Sequence, residues 1–365
     1  MGKEHFVEEF RALHRSLTER AEVLRAEIEV LLAARCIKVH LVSCRVKSVE
    51  SLRHKLARPD RNYGSLWDIT DLIGLRITTY FEDAIDEVAR AIEQAFAVDF
   101  SSSIDKLRFR DHGRFGYRSL HYVCAIPRVE GAPPLPGSAR FEIQVRTVVQ
   151  HAWAEVEHDL GYKGHDAVPA SIRRRFSRVA SLLEIADEEF VSIRRELERY
   201  QRSVAEGADD PERPFPLDAV SLDAVSHGRE VRELDEVIAS QLNRPLSSDV
   251  FYPEYLARML RLSGIGTTRD LHDALRRHRD EVPAVVRPYF EFTSSEWRFN
   301  PAGFDCVHRG YSLLFLSHVV IVRSADLNLN KVSKLTQLYR ELDYPDDERA
   351  AQRVASGLLA ALAAP

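Results

Sequence analysis

The sequence predicts an α+β protein: a mixed β-sheet flanked by helices, followed by a mainly helical C-terminal domain. Three observations carry that reading. β-branched runs alternate with helical periodicities through the first part of the chain; a Gly, Pro and acidic stretch interrupts the pattern at Glu206–Pro216 (EGADDPERPFP); and the apolar spacing beyond it is almost entirely helical. A chain of 365 residues also exceeds the usual single-domain size of about 100 to 200 residues. The expected organisation is one domain over 1–205, a linker over 206–216 and a second domain over 217–365.

Phe6, Phe10, Leu13, Leu17, Ala21, Leu24, Ile28 and Leu31 recur at helical spacing and predict a long amphipathic helix. Ile37 to Arg45 alternates as a strand does, and Ser48 is placed to cap a short helix running to Ala57. Gly74 to Phe81 (GLRITTYF) reads as a second strand, followed by a helix with Ile85, Val88, Ile92 and Phe96 on its apolar face. His121–Pro127 and Phe141–Thr147 supply two more strands, separated by a Pro/Gly turn at Gly131–Gly137. A helix through Val149, Trp153, Val156 and Leu160 follows. A long one then runs through Ile172, Phe176, Val179, Leu183, Ala186, Phe190, Ile193, Leu197 and Tyr200. Past the break, residues from Val231 onward are mainly helical, with a turn at Gly264–Gly266 ahead of a helix capped by Thr267 or Thr268. Gly310–Val322 (GYSLLFLSHVVIV) is an apolar helix or core segment, and the tandem LDAVS at Leu217–Ser226 is too brief to define a repeat architecture.

Composition excludes several classes. The 45% hydrophobic and 29% charged fractions are those of an ordinary globular protein. No apolar run approaches the ~18 residues that span a bilayer, and the charged start Met1–Phe10 is unlike a secretory signal. A cytoplasmic protein with no membrane partner is expected. Cys36, Cys44, Cys124 and Cys306 form no CxxC pair, so neither a disulfide framework nor a zinc site is indicated. The formal charge of -5 argues against wholesale coating of nucleic acid but leaves room for a local basic patch.

Chemistry-bearing residues gather on the predicted strands. In Phe141–Thr147 the alternation puts Glu142, Gln144 and Arg146 on one face and Phe141, Ile143 and Val145 on the other. A solvated sheet face is the ordinary reason for such a pattern. If the strand after Asp71 is a neighbour, however, that carboxylate lies near Glu142, and two close carboxylates suit magnesium. The turn at Arg45, Lys47 and Ser48 offers cations and backbone donors to phosphate at a helix N-terminus, with Lys55 about two turns on. Arg76 and Tyr117 present flat groups able to stack on nucleobases. Singly, each is an unremarkable surface residue. His151, Glu155 and His158 share one helix face and could be proposed as metal ligands, but a polar helix face usually just meets solvent, and that is the reading preferred.

Order is what makes these residues informative. RVKS (Arg45–Ser48), DLIGLRI (Asp71–Ile77), GYRSLHY (Gly116–Tyr122), EIQVRT (Glu142–Thr147) and HAWAEVEHDLGYK (His151–Lys163) together resemble the motifs of RelA/SpoT-homologue alarmone synthetases, over roughly residues 35–165. The resemblance implies a fold related to nucleotidyltransferases and an enzyme that transfers the β,γ-pyrophosphate of ATP, with Mg2+, to the 3′-hydroxyl of GDP or GTP. It also implies roles. Arg45 and Arg76 sandwich the adenine, while Lys47, Ser48 and Lys55 hold the ATP phosphates. Asp71 and Glu142 carry the metal, and Glu142 is the base. Tyr117 stacks on the acceptor base, and His121, Gln144 and Arg146 surround the acceptor phosphates and ribose. Glu157 and Lys163 shape the acceptor side, and His151 stands near the acceptor base, where small family members often carry asparagine.

The alternative is a toxin-type relative acting on the 3′ end of tRNA or on adenosine nucleotides. There the C-terminal domain restrains the activity, and Tyr252 and Tyr255 (YPEY) are candidates for a blocking segment. Arg173, Arg174, Arg175 and Arg178 form a basic run that is either a solvated face or a guide for RNA. The sequence begins at the synthetase-type helix, which leads to the expectation of synthesis without hydrolysis. Residues from 217 match none of the motifs, and Asp305, Cys306 and His308 read as structural. A helical regulatory or oligomerisation module is expected there, joining copies of the chain or receiving a protein trigger.

Overall fold

The computed structural model describes residues 3–59, 62–105, 119–128, 135–160, 169–208, 210, 212–297, 301–325, 330–340 and 347–363. The first three residues of the third motif, Gly116, Tyr117 and Arg118, lie outside them, as does Lys163. The chain divides into two compact units, Met1–Arg195 and Glu196–Pro365.

The first unit is built on a five-stranded sheet of β1 (Leu41–Val46), β2 (Ile73–Thr79), β3 (Ile104–Asp105), β4 (Leu120–Ala125) and β5 (Arg140–Thr147). Its order is β1-β2-β5-β4-β3, with β2 and β5 parallel and the other neighbours antiparallel, so the sheet is mixed as expected. Alternation along β5 is complete: Phe141, Ile143 and Val145 are buried while Glu142, Gln144 and Arg146 are only partly buried. The apolar face is covered by α1 (Lys3–Ala34), which buries Phe10, Leu17, Ala21, Leu24 and Ile28, and by α3 (Asp83–Ala95), which buries Ile85, Val88, Ala91 and Ile92. Truncating one of these, such as Leu24→Ala, costs about 2–5 kcal/mol through lost burial and the cavity left behind.

The connections place the polar face. Ser48 caps α2 (Val49–Ala57), its Oγ accepting from the Ser51 N–H at 3.1 Å, so the chain turns from strand to helix at that residue. Thr147 ends β5 and also caps α4 (Val148–Asp159), its hydroxyl accepting from the Gln150 N–H while the Gln150 side chain accepts from the Thr147 N–H. With no intervening loop, α4 is carried back against β5 and β2. The long α5 (Ala170–Gly207) is tied to this unit where Thr147 Oγ1 donates to the buried Asp187 at 2.7 Å and Phe176 meets Trp153 edge-on.

The second unit is helical around a buried central helix, α12 (Tyr311–Arg323), packed by α7 (Arg229–Leu242), α8 (Pro253–Leu262), α10 (Glu281–Ala284), α13 (Lys331–Arg340) and α14 (Glu348–Ala363). The remaining helices are α6 (Ala219–Ser226), α9 (Thr268–Arg277) and α11 (Val286–Trp297), and Thr267 caps α9. A two-stranded parallel sheet of β6 (Leu246–Val250) and β7 (Val307–Arg309) adds to the helices expected from the sequence. Its strands are too short to show a period-two pattern.

The units divide inside α5, at Arg195/Glu196, and not in the Glu206–Pro216 stretch. The described part of that stretch is packed into the second unit. Phe215 is buried and its N–H donates to Thr268 Oγ1 at 3.1 Å, and Val204 and Ala208 belong to the same core. Composition shows a helix break there, but burial of Phe215 makes it a packed turn.

Candidate active site

Cross-strand register brings the polar residues of four strands together. Ser43 of β1 lies opposite Arg76 of β2, and Arg45 lies opposite Gly74. Gly74 in turn faces Glu142 of β5, Arg76 faces Gln144, and Thr78 faces Arg146. Gln144 also faces His121 of β4. Gly74 leaves room that the Arg45 side chain fills: a Cβ there would stand 3.6 Å from the Arg45 Nε. Arg45, Gly74, Arg76 and Gln144, together with Glu155 of α4, line a cleft of about 190 Å³.

Asp71, in the turn just before β2, accepts from Lys47 Nζ and Lys55 Nζ, each at 2.7 Å. The Lys47 N–H bonds to the Leu72 carbonyl at 2.9 Å, which holds the end of β1 against this turn. Burial alone would push the Asp71 carboxyl up, yet the two ammonium groups outweigh it and leave it below the usual carboxylate range. Glu142 has the same balance: burial raises it, the His121 hydrogen bond lowers it further, and the net direction is down. His121 Nδ1 is 2.6 Å from Glu142 Oε1, and its Nε2 is 2.7 Å from Ser119 Oγ. Gln144 Nε2 donates to Glu142 Oε2 at 3.3 Å. The charge of Asp71 acts on Glu142 as a raising influence, so both acids share one electrostatic neighbourhood.

On the other side of the cleft, Arg76 donates to Glu155 Oε1 at 3.0 Å and lies 3.3 Å from His151 Nδ1. Burial, then the charge of Arg76, holds the His151 imidazole below its ordinary value. Burial, then Arg76, also lowers the Arg146 guanidinium. Cations therefore crowd this face: Arg45, Lys47, Lys55, Arg76 and Arg146 stand around two acids.

Of the residues singled out in the sequence, Asp71, Glu142, Arg45, Lys47, Lys55, Arg76, His121, Gln144, Arg146 and His151 all lie on or beside this face. Ser48 is at its edge with its hydroxyl engaged in capping; Ser51, which accepts from it at 2.9 Å, was not singled out. Glu157 stands on another side of α4 from Glu155, and among the described residues it forms no ion pair. The suggested His151/Glu155/His158 metal set is not what those residues form: His151 and Glu155 turn to Arg76, and no group of three or more metal-binding side chains occurs among the described residues. Glu155 is the residue that sequence reasoning undervalued, and its i,i+4 spacing from His151 was the available signal.

Residues 44–167 match the family model described as a region found in RelA/SpoT proteins. The GTP pyrophosphokinase YjbM of Bacillus subtilis is 31% identical over 166 residues, covering 45% of this chain and 75% of that protein. The chain belongs to the RelA/SpoT family. A second relative, the GTP pyrophosphokinase YwaC of the same organism, is 29% identical over 162 residues, covering 42% and 73% of the two chains. The small alarmone synthetase 1 crystal structure from Bacillus subtilis aligns with a TM-score of 0.45 at 26% identity, over 52% of this chain and 98% of that one. As a RelA/SpoT protein the chain is a pyrophosphotransferase, and it carries a C-terminal region beyond the part its relatives match. Among the described residues no helix is long and apolar enough to cross a membrane.

Proposed function

We propose that this RelA/SpoT protein transfers the β,γ-pyrophosphate of ATP to the 3′-hydroxyl of GDP or GTP in the cytoplasm: a bond forms from the 3′-oxygen to the β-phosphorus as the α–β linkage breaks, giving (p)ppGpp and releasing AMP. The observation that carries the reading is the pairing of Asp71 with Lys47 and Lys55 beside the Glu142–His121 pair, on a sheet face lined by three arginines. Two named GTP pyrophosphokinases among the relatives support the choice of acceptor.

The residues act as follows. Arg45 and Arg76 flank the cleft and receive the adenine between flat guanidinium groups. Incoming phosphates draw Lys47 and Lys55 away from Asp71, exchanging one anion for another at little electrostatic cost. Asp71 and Glu142 are both held below the usual carboxylate range, and the charge of Asp71 is felt at Glu142, a pair of oxygen donors that fits a magnesium ion. Such an ion would be held by these two acids and, when bound, would supply positive charge to the transferring phosphates. Glu142 accepts the proton of the ribose hydroxyl. A carboxylate held this low is a weak base, so its contribution rests on position, with His121 and Gln144 fixing its two oxygens. Arg146 and Arg76 offset the charge that accumulates on the transferred group. Ser48 shapes the phosphate turn through its cap, and Tyr117, Lys163 and Glu157 belong to the acceptor side. The second unit, with its own core, serves as a regulatory module.

Purified full chain incubated with ATP labelled in its β or γ phosphate, and with GDP, GTP, an adenosine nucleotide or tRNA in parallel, tests this. Label is expected on the guanine nucleotides. Label appearing only on tRNA or on the adenosine nucleotide would replace the acceptor, and label on none of them would remove the proposal.

A further inference from the structure

The cleft between Arg45 and Arg76 is walled mainly by hydrogen-bond donors. Its lining includes those two guanidinium groups and Gln144, whose Nε2 already donates to Glu142; among the described residues, Glu155 is the acid that lines it. Glu155 reaches this cleft because Thr147 closes β5 and starts α4 with no loop between them, so position 155 returns to Arg76 of β2 two turns into the helix.

The two oxygens of the Glu155 carboxylate differ. Oε1 accepts from Arg76 Nη1 at 3.0 Å and stands 3.6 Å from His151 Nδ1. Oε2 forms no hydrogen bond among the described residues and keeps its lone pairs for an incoming donor. That matters for a purine held here. The edge of adenine presents ring nitrogens that accept and one exocyclic amino group that donates. Guanidinium groups serve the ring nitrogens but set donor against donor at the amino group, and a carboxylate oxygen supplies the acceptor that cationic walls lack. A base stacked on Arg76 lies against the group that Glu155 itself holds, which brings Oε2 to the rim of that base. A purine with hydrogen at the same position leaves Oε2 without its partner, and one with oxygen sets lone pair against lone pair.

We propose that Glu155 selects the donor nucleotide, its Oε2 accepting from the 6-amino group of a purine seated between Arg45 and Arg76. The assignment rests on the proposed reading of this cleft as the ATP site and adds to it the residue that distinguishes adenine from other purines. Because the carboxylate is 58% exposed, water competes for it, and the discrimination is about tenfold, far below the roughly 10⁴-fold of a sealed site.

Purine riboside triphosphate, which carries hydrogen in place of the 6-amino group and is otherwise ATP, is the probe. With GDP as acceptor, kcat/KM of the full chain should be about tenfold higher for ATP than for this analogue, the difference lying in KM. In Glu155→Ala the two donors should come within about twofold of each other, and in Glu155→Gln, whose amide oxygen can still accept, the ratio should fall between those limits. If Glu155 acts only by holding Arg76 in place, each substitution lowers both donors by the same factor and the wild-type ratio survives, which overturns the proposal. So does a wild type that uses the two donors equally. An effect of Glu155→Ala on the ratio of GDP to IDP as acceptors, with the donor ratio unchanged, would move the residue to the acceptor base and overturn it as well. Dissociation constants of ATP and the analogue, measured without acceptor, give the donor ratio whichever acceptor is used. Equal binding of the two overturns the Glu155 assignment and leaves the ATP site standing, whereas a chain that binds neither overturns both.

Discussion

In the sheet unit, Asp71 meets two lysine ammonium groups at 2.7 Å and Glu142 meets a histidine at 2.6 Å. In the helical unit, by contrast, Asp235 is completely buried and accepts from the backbone N–H groups of Gly310 and Ser312 at 2.7 and 2.8 Å. The outcomes diverge. Asp71 and Glu142 fall below the usual carboxylate range, whereas burial pushes Asp235 up to about 6 despite those two donors. Side-chain cations that neutralise an acid beside a sheet face can leave it for an anionic substrate. An acid closing the first turn of α12 has nothing to exchange, because its partners are fixed backbone. His318 teaches the same lesson: buried in α12, held down to about 4 by its burial, it bonds to the Leu314 carbonyl and the Tyr339 hydroxyl and is part of the core.

Removing the negative charge of the sheet unit should have the largest effect. Glu142→Gln is expected to lower turnover by about 10²–10⁴-fold while far-UV circular dichroism stays as in the wild type. A variant with near-native turnover would make the Glu142–His121 pair as structural as Asp235. In the helical unit the corresponding change should act on folding: Asp235→Ala leaves two buried N–H groups without an acceptor and is expected to cost about 1–3 kcal/mol in urea unfolding. No measurable change there would mean that water or another group satisfies those donors.

Smaller effects sharpen the same contrast. Glu155→Gln frees Arg76 and is expected to raise the KM for ATP by about three- to tenfold with kcat nearly kept, a modest figure because Glu155 is 58% exposed. A fall in kcat without change in KM would place Glu155 elsewhere in the mechanism. pH should move the two units in opposite directions. Asp235 is raised above its ordinary 3.8, so its favourable contribution is complete below that value and is lost as pH rises through about 6. Asp71 and Glu142 are lowered, so theirs is present above the ordinary 3.8 and 4.5 and is lost as pH falls through their folded values. Going from pH 7 to pH 5 should therefore raise the unfolding temperature of the wild type by a few degrees relative to Asp235→Asn. An identical response of the two proteins would show that Asp235 does not titrate in that window.

Much of the sheet unit was legible because its signals are local. The period-two alternation of Phe141–Thr147 announces β5, and Ser48 at the end of Arg-Val-Lys announces the cap of α2. What could not be read depends on contacts between distant residues. Lys55 reaching Asp71 across the α2 turn, Glu155 reaching back to Arg76 from α4, and Phe215 drawing the Pro-rich break into a core all need the tertiary fold. β6 and β7 were invisible for a different reason: five and three residues are too few for a pattern to stand out.

The central claim is that Asp71 and Glu142 serve one reacting centre, and a double-mutant cycle tests it most directly. Turnover with ATP and GDP would be measured for Asp71→Asn, for Glu142→Gln and for the two combined. Two acids acting as a unit should be strongly non-additive, with the double variant no more than about threefold below the poorer single variant. Losses that multiply, each acid removing its own full factor in the presence or absence of the other, would contradict a shared centre.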